Sequence, residues 1–284
     1  MSDSTSRAVL ITGCSTGIGR ATAARLARAG YPVYATARRA DAIADLEQAG
    51  CRILALDVCD EDSMQAAVRE VEAREGAVGV LINNAGYGSE GAIEEVPMEE
   101  VRRQFETNVF GLARMAQLVL PAMRAQRWGR IVNLSSMGGR MTLPGGGFYH
   151  ATKYAVEAMS DALRFEVAGF GIAVVLIEPG VIRTSFGDTA IAKIGALSRP
   201  GSAYEKFHQR LAASIEDANT GSMAALAGDP DDVAKVIERA VTSARPRPRY
   251  LITAGAKVFV GMRSLLGARG FDAFLRTQFE SPGR

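Results

Sequence analysis

An apolar strand that runs straight into a glycine-rich turn limits this chain more than any other feature in it. Ala8-Val-Leu-Ile11 is short, apolar and β-branched, and reads as a fully buried strand. TGCSTGIG follows at once, from Thr12 to Gly19, and opens an Ala/Arg-rich helical stretch from Arg20 to Ala29 that stops at Gly30. Glycine lets a backbone turn sharply and come close to an anion, and the amides at a helix N-terminus are free to bind one. Strand, glycine turn and helix in that order are the context of a dinucleotide pyrophosphate cradle. Gly13, Gly17 and Gly19 would shape it, with Ser15, Thr16 and Ile18 between them. The spacing is GxxxGxG, not GxGxxG.

The rest of the chain repeats the alternation. Further strands are expected at Tyr31–Ala37, Cys51–Val58, Val78–Ile82, Arg130–Leu134, Ile172–Ile177 and Arg249–Thr253. Helices are expected at Asp41–Ala49, Asp62–Glu75, from Pro97 through Asn108 to Gln126, from the Tyr149 segment to Ala168, and at Asp229–Ser243. Such alternation predicts a Rossmann-type doubly wound parallel sheet of about seven strands with helices on both faces, in one domain spanning 1–284. Gly187 to Gly228 looks irregular, with a weakly helical patch from Tyr204 to Glu216, and reads as a flap over a site. Apolar residues from Val258 to Leu275 recur at helical spacing, which gives a helical tail over 256–280 suited to the core or a subunit interface.

Composition narrows the partners. Lys+Arg 33 against Asp+Glu 31 gives +2, with no basic block to argue for nucleic acid. No apolar run is long enough for a membrane span, and MSDSTSR lacks the apolar core of a signal peptide. Three cysteines without CxxC spacing suit a reducing compartment, so the expectation is cytoplasmic. Only two histidines are present, which leaves no histidine-rich metal site, and no metal is called for. Cys14, inside the cradle, is a candidate for oxidation.

Two further patterns bear on chemistry. Arg38 stands nineteen positions after Gly19 and is followed by Arg39, where an NAD site would carry an acid. Guanidinium pairs with phosphate in a charge-assisted fork, so NADP(H) is expected over NAD(H), with Ser15 as a second donor. Asp57, at the end of the third strand beside Val58, is placed to meet the adenine. Later, Ser136 precedes Tyr149 by thirteen positions, and Tyr149 precedes Lys153 by four. On a helix that spacing makes a phenol and an ammonium neighbours. A cation ~4 Å from the phenol at an effective dielectric of ~20 would favour phenolate by up to ~4 kcal/mol. That would bring the phenol toward the range where acid–base catalysis is efficient. Met137, Met141, Leu143, Phe148 and Phe186 would wall an apolar substrate site.

These residues together resemble the short-chain dehydrogenase/reductase family in its compact branch, over Val9 to about Thr184. The motifs are TGCSTGIG, NNAG at 83–86, Asn108, Ser136, Tyr149xxxLys153 and PGVIRT at 179–184. TGCSTGIG, YATARR and NNAGYG are most similar to 17β-hydroxysteroid and retinol dehydrogenase-like members. The resemblance implies a catalytic tetrad of Asn108, Ser136, Tyr149 and Lys153, with Asn108 anchoring a water that joins Lys153 to solvent. It also implies that Asn84, Ala85 and Gly86 line the cofactor, and that the Pro179-Gly180-Val181 turn and Thr184 hold the nicotinamide end. A homo-oligomer, dimer or tetramer, follows from the same resemblance, with helices around Asn108 and after Tyr149 at the interface. His150 is expected to point away from the site. The implied activity is interconversion of a hydrophobic carbonyl compound and its alcohol; a catalytically silent nucleotide sensor or scaffold on this fold is the alternative class.

Overall fold

The computed structural model describes residues 5–221, 227–279 and 282. Seven strands make one sheet: β1 (Val9–Ile11), β2 (Val33–Ala37), β3 (Arg52–Ala55), β4 (Val80–Asn83), β5 (Gly129–Leu134), β6 (Ile172–Pro179) and β7 (Arg249–Ile252). Their order is β3-β2-β1-β4-β5-β6-β7, and every pairing is parallel. The chain winds outward from β1 in both directions, so the reversal of order falls between β1 and β4. A crevice opens at the strand C-termini at such a switch point, which is where ligands bind in open α/β sheets.

Successive side chains on a strand point to opposite faces, and both faces here are buried. Val9, Ile11, Ile82, Val132 and Val175 pack with Leu26, Ile43, Val233 and Ile237. Leu10, Leu81, Ile131 and Val174 turn the other way, against Met64, Val68, Met115, Val119 and Met123. The first layer is α1 (Gly17–Arg28), a tight helix at Ala40–Ala49 and, later in the chain, Pro230–Thr242. The second is α2 (Glu61–Glu75), then α3 (Met98–Phe105) and α4 (Leu112–Ala125), joined by a π-helical turn at Glu106–Gly111, and α5 (Gly147–Val167).

Several boundaries differ from the expectation. β2 starts at Val33, since Pro32 has no N–H to give a ladder. β3 is shorter at both ends because the chain leaves the sheet edge at Leu56, toward the cavity described below. The long helix through Asn108 is split by the π-helical turn. The main correction is in Gly187–Gly228: the helical patch expected over Tyr204–Glu216 is there as α7 (Glu205–Thr220), but the chain before it, expected to be irregular, forms α6 (Ser185–Leu197), with 222–226 lying outside the described residues. Thr184 starts α6 by accepting from Phe186 N at 3.3 Å, a cap hidden in the PGVIRT motif. α8 (Pro230–Thr242) opens with an Asp229/Asp232 capping box. α9 (Ala254–Gln278) forms the tail, breaks at Gly267 (φ 63°, ψ −170°), and packs Val260 and Phe271 on Met141; residue 280 of the expected tail lies outside the described residues.

Candidate active site

One cavity of about 1210 Å³ runs along the strand C-termini. Its first end is the glycine turn. Gly13 has φ +73°, and a Cβ there would come 2.8 Å from Ala85 Cα. Asn84 closes the turn from the other side, donating from Nδ2 to the carbonyls of Thr12 (2.9 Å) and Gly13 (2.8 Å). Gly19 faces that amide and does not line the cavity; its role is to let Asn84 in. Gly17 has φ +57° and lies against Thr184. The first helix begins at Thr16 without a side-chain cap, so its amides stay open toward the cavity that Thr16, Gly17 and Ile18 line. Open amides at a helix N-terminus beside a glycine turn are an arrangement that can accept a phosphate group, and a Cβ at Gly13 would press the turn away from Ala85 and Asn84.

Ser15, Arg38, Asp57, Val58, Ala85 and Gly86 continue the wall. Arg39 is held by Asp41 (Nε to Oδ1 3.2 Å), whereas Arg38 is exposed with no ion-pair partner among the described residues. Asp57 accepts from Cys59 N at 2.9 Å, which fixes its carboxylate at the rim. Cys14 is fully buried and burial pushes its thiol up to about 12, so the expected oxidation-prone site is an inert core residue.

The middle of the cavity brings Ser136, Tyr149 and Lys153 together with Pro179, Gly180 and Val181. β5 delivers Ser136 at its C-terminal end, and α5 carries Tyr149 and Lys153 one turn apart. Ser136 Oγ accepts from Gly138 N at 3.0 Å and lines the cavity with the Tyr149 phenol. Lys153 Nζ donates to Leu134 O at 2.8 Å and sits 5.7 Å from the Tyr149 ring centre. Burial pushes the phenol above its ordinary value, with Ser136 pulling it down and Glu90 pushing it further up. The expected depression by Lys153 is not what dominates. The ammonium is itself desolvated, down to about 8, and lies over the ring, while Glu157 one turn further on favours its charge. Glu157 in turn accepts from Ser135 Oγ and from Arg249 Nε, the latter at 3.0 Å.

Asn108 does not line the cavity. It stands behind Gly86, where a Cβ would come 3.0 Å from Asn108 Oδ1 and 3.9 Å from Lys153 Nζ. Its side chain clamps Tyr87, accepting from the N–H (3.0 Å) and donating to the carbonyl (2.9 Å), and also donates to Thr152 Oγ1 (3.2 Å). His150 does not point away from the site as expected. It lines the cavity beside Tyr149, but Nδ1 accepts from Leu143 N at 3.3 Å and burial lowers it to about 4, so it braces the loop as a neutral ring.

The far end is apolar. Met137, Met141, Leu143 and Phe186 line it as expected, and Phe148 does not. Leu211 and Ile215 from α7, Ala190 from α6 and Phe279 at the end of α9 complete it, with Glu90 among them. None of these five carries a sequence signal; the two helices bring the first three, and only the folded chain brings Phe279 near.

A doubly wound parallel sheet with a glycine turn at one end of a cavity and a hydroxyl, phenol and ammonium at its centre is the arrangement of an oxidoreductase fold. The short chain dehydrogenase family description matches residues 7–194. The chain belongs to that family. Retinol dehydrogenase 8 from Bos taurus is 35% identical over 255 residues, covering 84% of this chain and 79% of the relative. Among solved structures, a short-chain dehydrogenase from Streptomyces avermitilis is 33% identical with a TM-score of 0.79, covering 96% of this chain and 98% of that one. The closed form of a serine dehydrogenase complexed with NADP+ is 25% identical, TM-score 0.76, covering 87% of this chain and 95% of that chain.

Proposed function

We propose that this protein is an NADP(H)-dependent oxidoreductase that interconverts a hydrophobic ketone or aldehyde and its alcohol. The observation that carries the reading is the convergence of Ser136, Tyr149 and Lys153 midway between a phosphate cradle and an apolar chamber. The cradle of Gly13, Ser15, Thr16, Gly17 and Ile18 would hold a pyrophosphate, with Gly19 shaping the turn from behind and Asp57 and Val58 at the adenine. Arg38, unpaired at the rim, would take a 2′-phosphate, which favours NADP(H) while leaving NAD(H) admissible. Asn84, Ala85, Gly86, Pro179, Gly180, Val181 and Thr184 would hold the nicotinamide end. When bound, the nicotinamide supplies or accepts the hydride at the carbinol carbon.

The chain's own part is proton handling and orientation. Tyr149 exchanges the proton with the substrate oxygen, and Ser136 gives that oxygen a second hydrogen bond as charge develops on it. The raised phenol makes Tyr149 a proton donor at neutral pH, which suits carbonyl reduction. Lys153 supplies the positive charge under the phenol, and Asn108 fixes the Tyr87 backbone against which Gly86 and Lys153 pack. α6 and α7 act as the substrate flap. They are fastened by Lys193 to Glu100, by Tyr204 Oη to Glu94 at 2.7 Å, and by Ala92 N to His208 Nε2 at 3.0 Å. Retinol, the substrate in the name of the bovine relative, agrees with an apolar chamber. Phe110, Tyr154 and Phe165, exposed on the π-helical turn and α5, support a homo-oligomer built on those elements; a monomer by light scattering would contradict this.

The test is absorbance at the reduced-nicotinamide band, with NADPH and NADH run in parallel against apolar ketones and aldehydes. The reading expects oxidation of NADPH in preference to NADH. Binding of NADPH with no turnover across the panel would instead favour a nucleotide sensor.

A further inference from the structure

The apolar end of the cavity contains a carboxyl with no partner. Glu90 lies in a segment fixed on both sides of it. A Cβ on Gly88 would come 2.8 Å from the Phe186 ring, and Gly91 N donates to Gly145 O at 2.8 Å. Phe186 stands edge-on to Tyr149 with ring centres 5.4 Å apart, and Gly145 belongs to the loop that leads into α5. Glu90 is thus held between two of the elements that frame Tyr149, lines the same cavity, and is near enough for its charge to act on the phenol.

The glutamates that follow it on the same stretch, up to Glu100, each have a partner. Glu94 accepts from Tyr204, Glu95 from Ser202, and Glu100 from Arg103 and Lys193. Glu90 has neither hydrogen bond nor ion pair among the described residues. The nearby cations are committed elsewhere: Lys153 to the Leu134 carbonyl, and Lys193 and Arg103 to Glu100. His150 and His208 are neutral acceptors for the N–H groups of Leu143 and Ala92. Burial without a counter-ion lifts the Glu90 carboxyl to about 7.

An all-hydrocarbon substrate that closed over this group would strip its remaining water and return nothing. A site with a buried polar group discriminates against ligands that leave it unpaired. A hydroxyl would satisfy one lone pair and leave the charge; an ammonium satisfies both. We propose that Glu90 anchors a cationic group of the substrate, so that the preferred substrate is a hydrophobic ketone, or its alcohol, bearing a protonated amine a few bonds from the reacting carbon. This rests on the oxidoreductase reading above.

The experiment compares three eight-carbon secondary alcohols that differ only at the carbon beside the carbinol, which carries hydrogen, a hydroxyl or an amino group. Binding to the protein with NADP+ is measured by calorimetry above neutral pH, and formation of NADPH is recorded in parallel. The amino alcohol is expected to bind about tenfold or more tighter than the other two in the wild type. In Glu90→Gln that ratio should fall to about one, and Glu90→Asp, which keeps the charge, should retain part of it; thermal melts and NADP+ titration confirm that both variants are folded. Equal binding of all three by the wild type, tighter binding of the diol, or an amine preference kept in Glu90→Gln would each overturn the assignment. Because binding is read without turnover, a silent protein that still prefers the amine would defeat the oxidoreductase reading and leave the anchor standing.

Discussion

The two ends of the cavity are built on opposite terms. At the cradle, backbone is packed against backbone so closely that side chains are excluded. Gly13 and Gly17 sit at positive φ, and Asn84 binds two carbonyls of the turn directly. At the other end the walls are side chains on separate helices and on the loop after β4, where Glu90 has no partner among the described residues. The first end tolerates one ligand geometry; the second tolerates many shapes but has a chemical demand. On the proposed reading, specificity for the cofactor is a matter of fit, and specificity for the substrate a matter of an unmet charge.

Tyr149 belongs to neither end, and removing its hydroxyl should separate them most sharply. In Tyr149→Phe, turnover is expected to drop by about 10³-fold or more, within the span of general acid–base catalysis and the oxyanion contact together, while NADPH affinity holds. Stopped-flow turnover beside fluorescence titration reads both. A variant that loses NADPH binding as well would show that the two ends are one unit. Gly13→Ala is the converse cut. A Cβ 2.8 Å from Ala85 at φ +73° must push the turn open, so cofactor affinity should fall by about 100-fold. Retained affinity would mean that the turn is not the cradle. Smaller still is Arg38→Ala: loss of one exposed charge-assisted contact should raise the KM for NADPH about tenfold and leave NADH unchanged. Equal effects on both would remove Arg38 as the selector.

The same contrast explains what could be read from the sequence. Positive φ and close approach are demands that glycine alone meets, and they fall within one short stretch, so the tight turn at Gly13, Gly17 and Gly19 was legible from the sequence. The Tyr149–Lys153 pairing was legible because helical spacing alone brings them together. Its electrostatics were not: burial dominates the phenol, and burial exists only in the folded chain. The substrate end was least visible. Thr184 capping α6 looks from sequence like a family motif only, and Leu211, Ile215 and Phe279 come to line one cavity with Met141 only through the fold. Glu90 is one of several glutamates between 90 and 100, and nothing in their order says which will find a partner.

That unmet charge should register in stability as well as binding, with a sign opposite to most carboxylates. The Glu90 carboxyl rises from its ordinary 4.5 to about 7 in the folded protein. A raised acid binds its proton more tightly when folded, so the fold is favoured below about pH 4.5 and loses that increment as pH climbs to about 7. Above pH 7 both states are ionised and the penalty is constant. Glu90 is partly exposed, so the full linkage is discounted to about 1 kcal/mol. Glu90→Gln keeps the shape and removes the charge, so it should melt about 2–4 °C higher than wild type at pH 8 and at the same temperature near pH 4. The gap at pH 8 should close when the amino alcohol is added to the wild type, since a bound cation meets the same need. Were the variant no more stable at pH 8, or were the gap independent of pH, the carboxylate would already have a partner, and the substrate end would be as self-satisfied as the cradle.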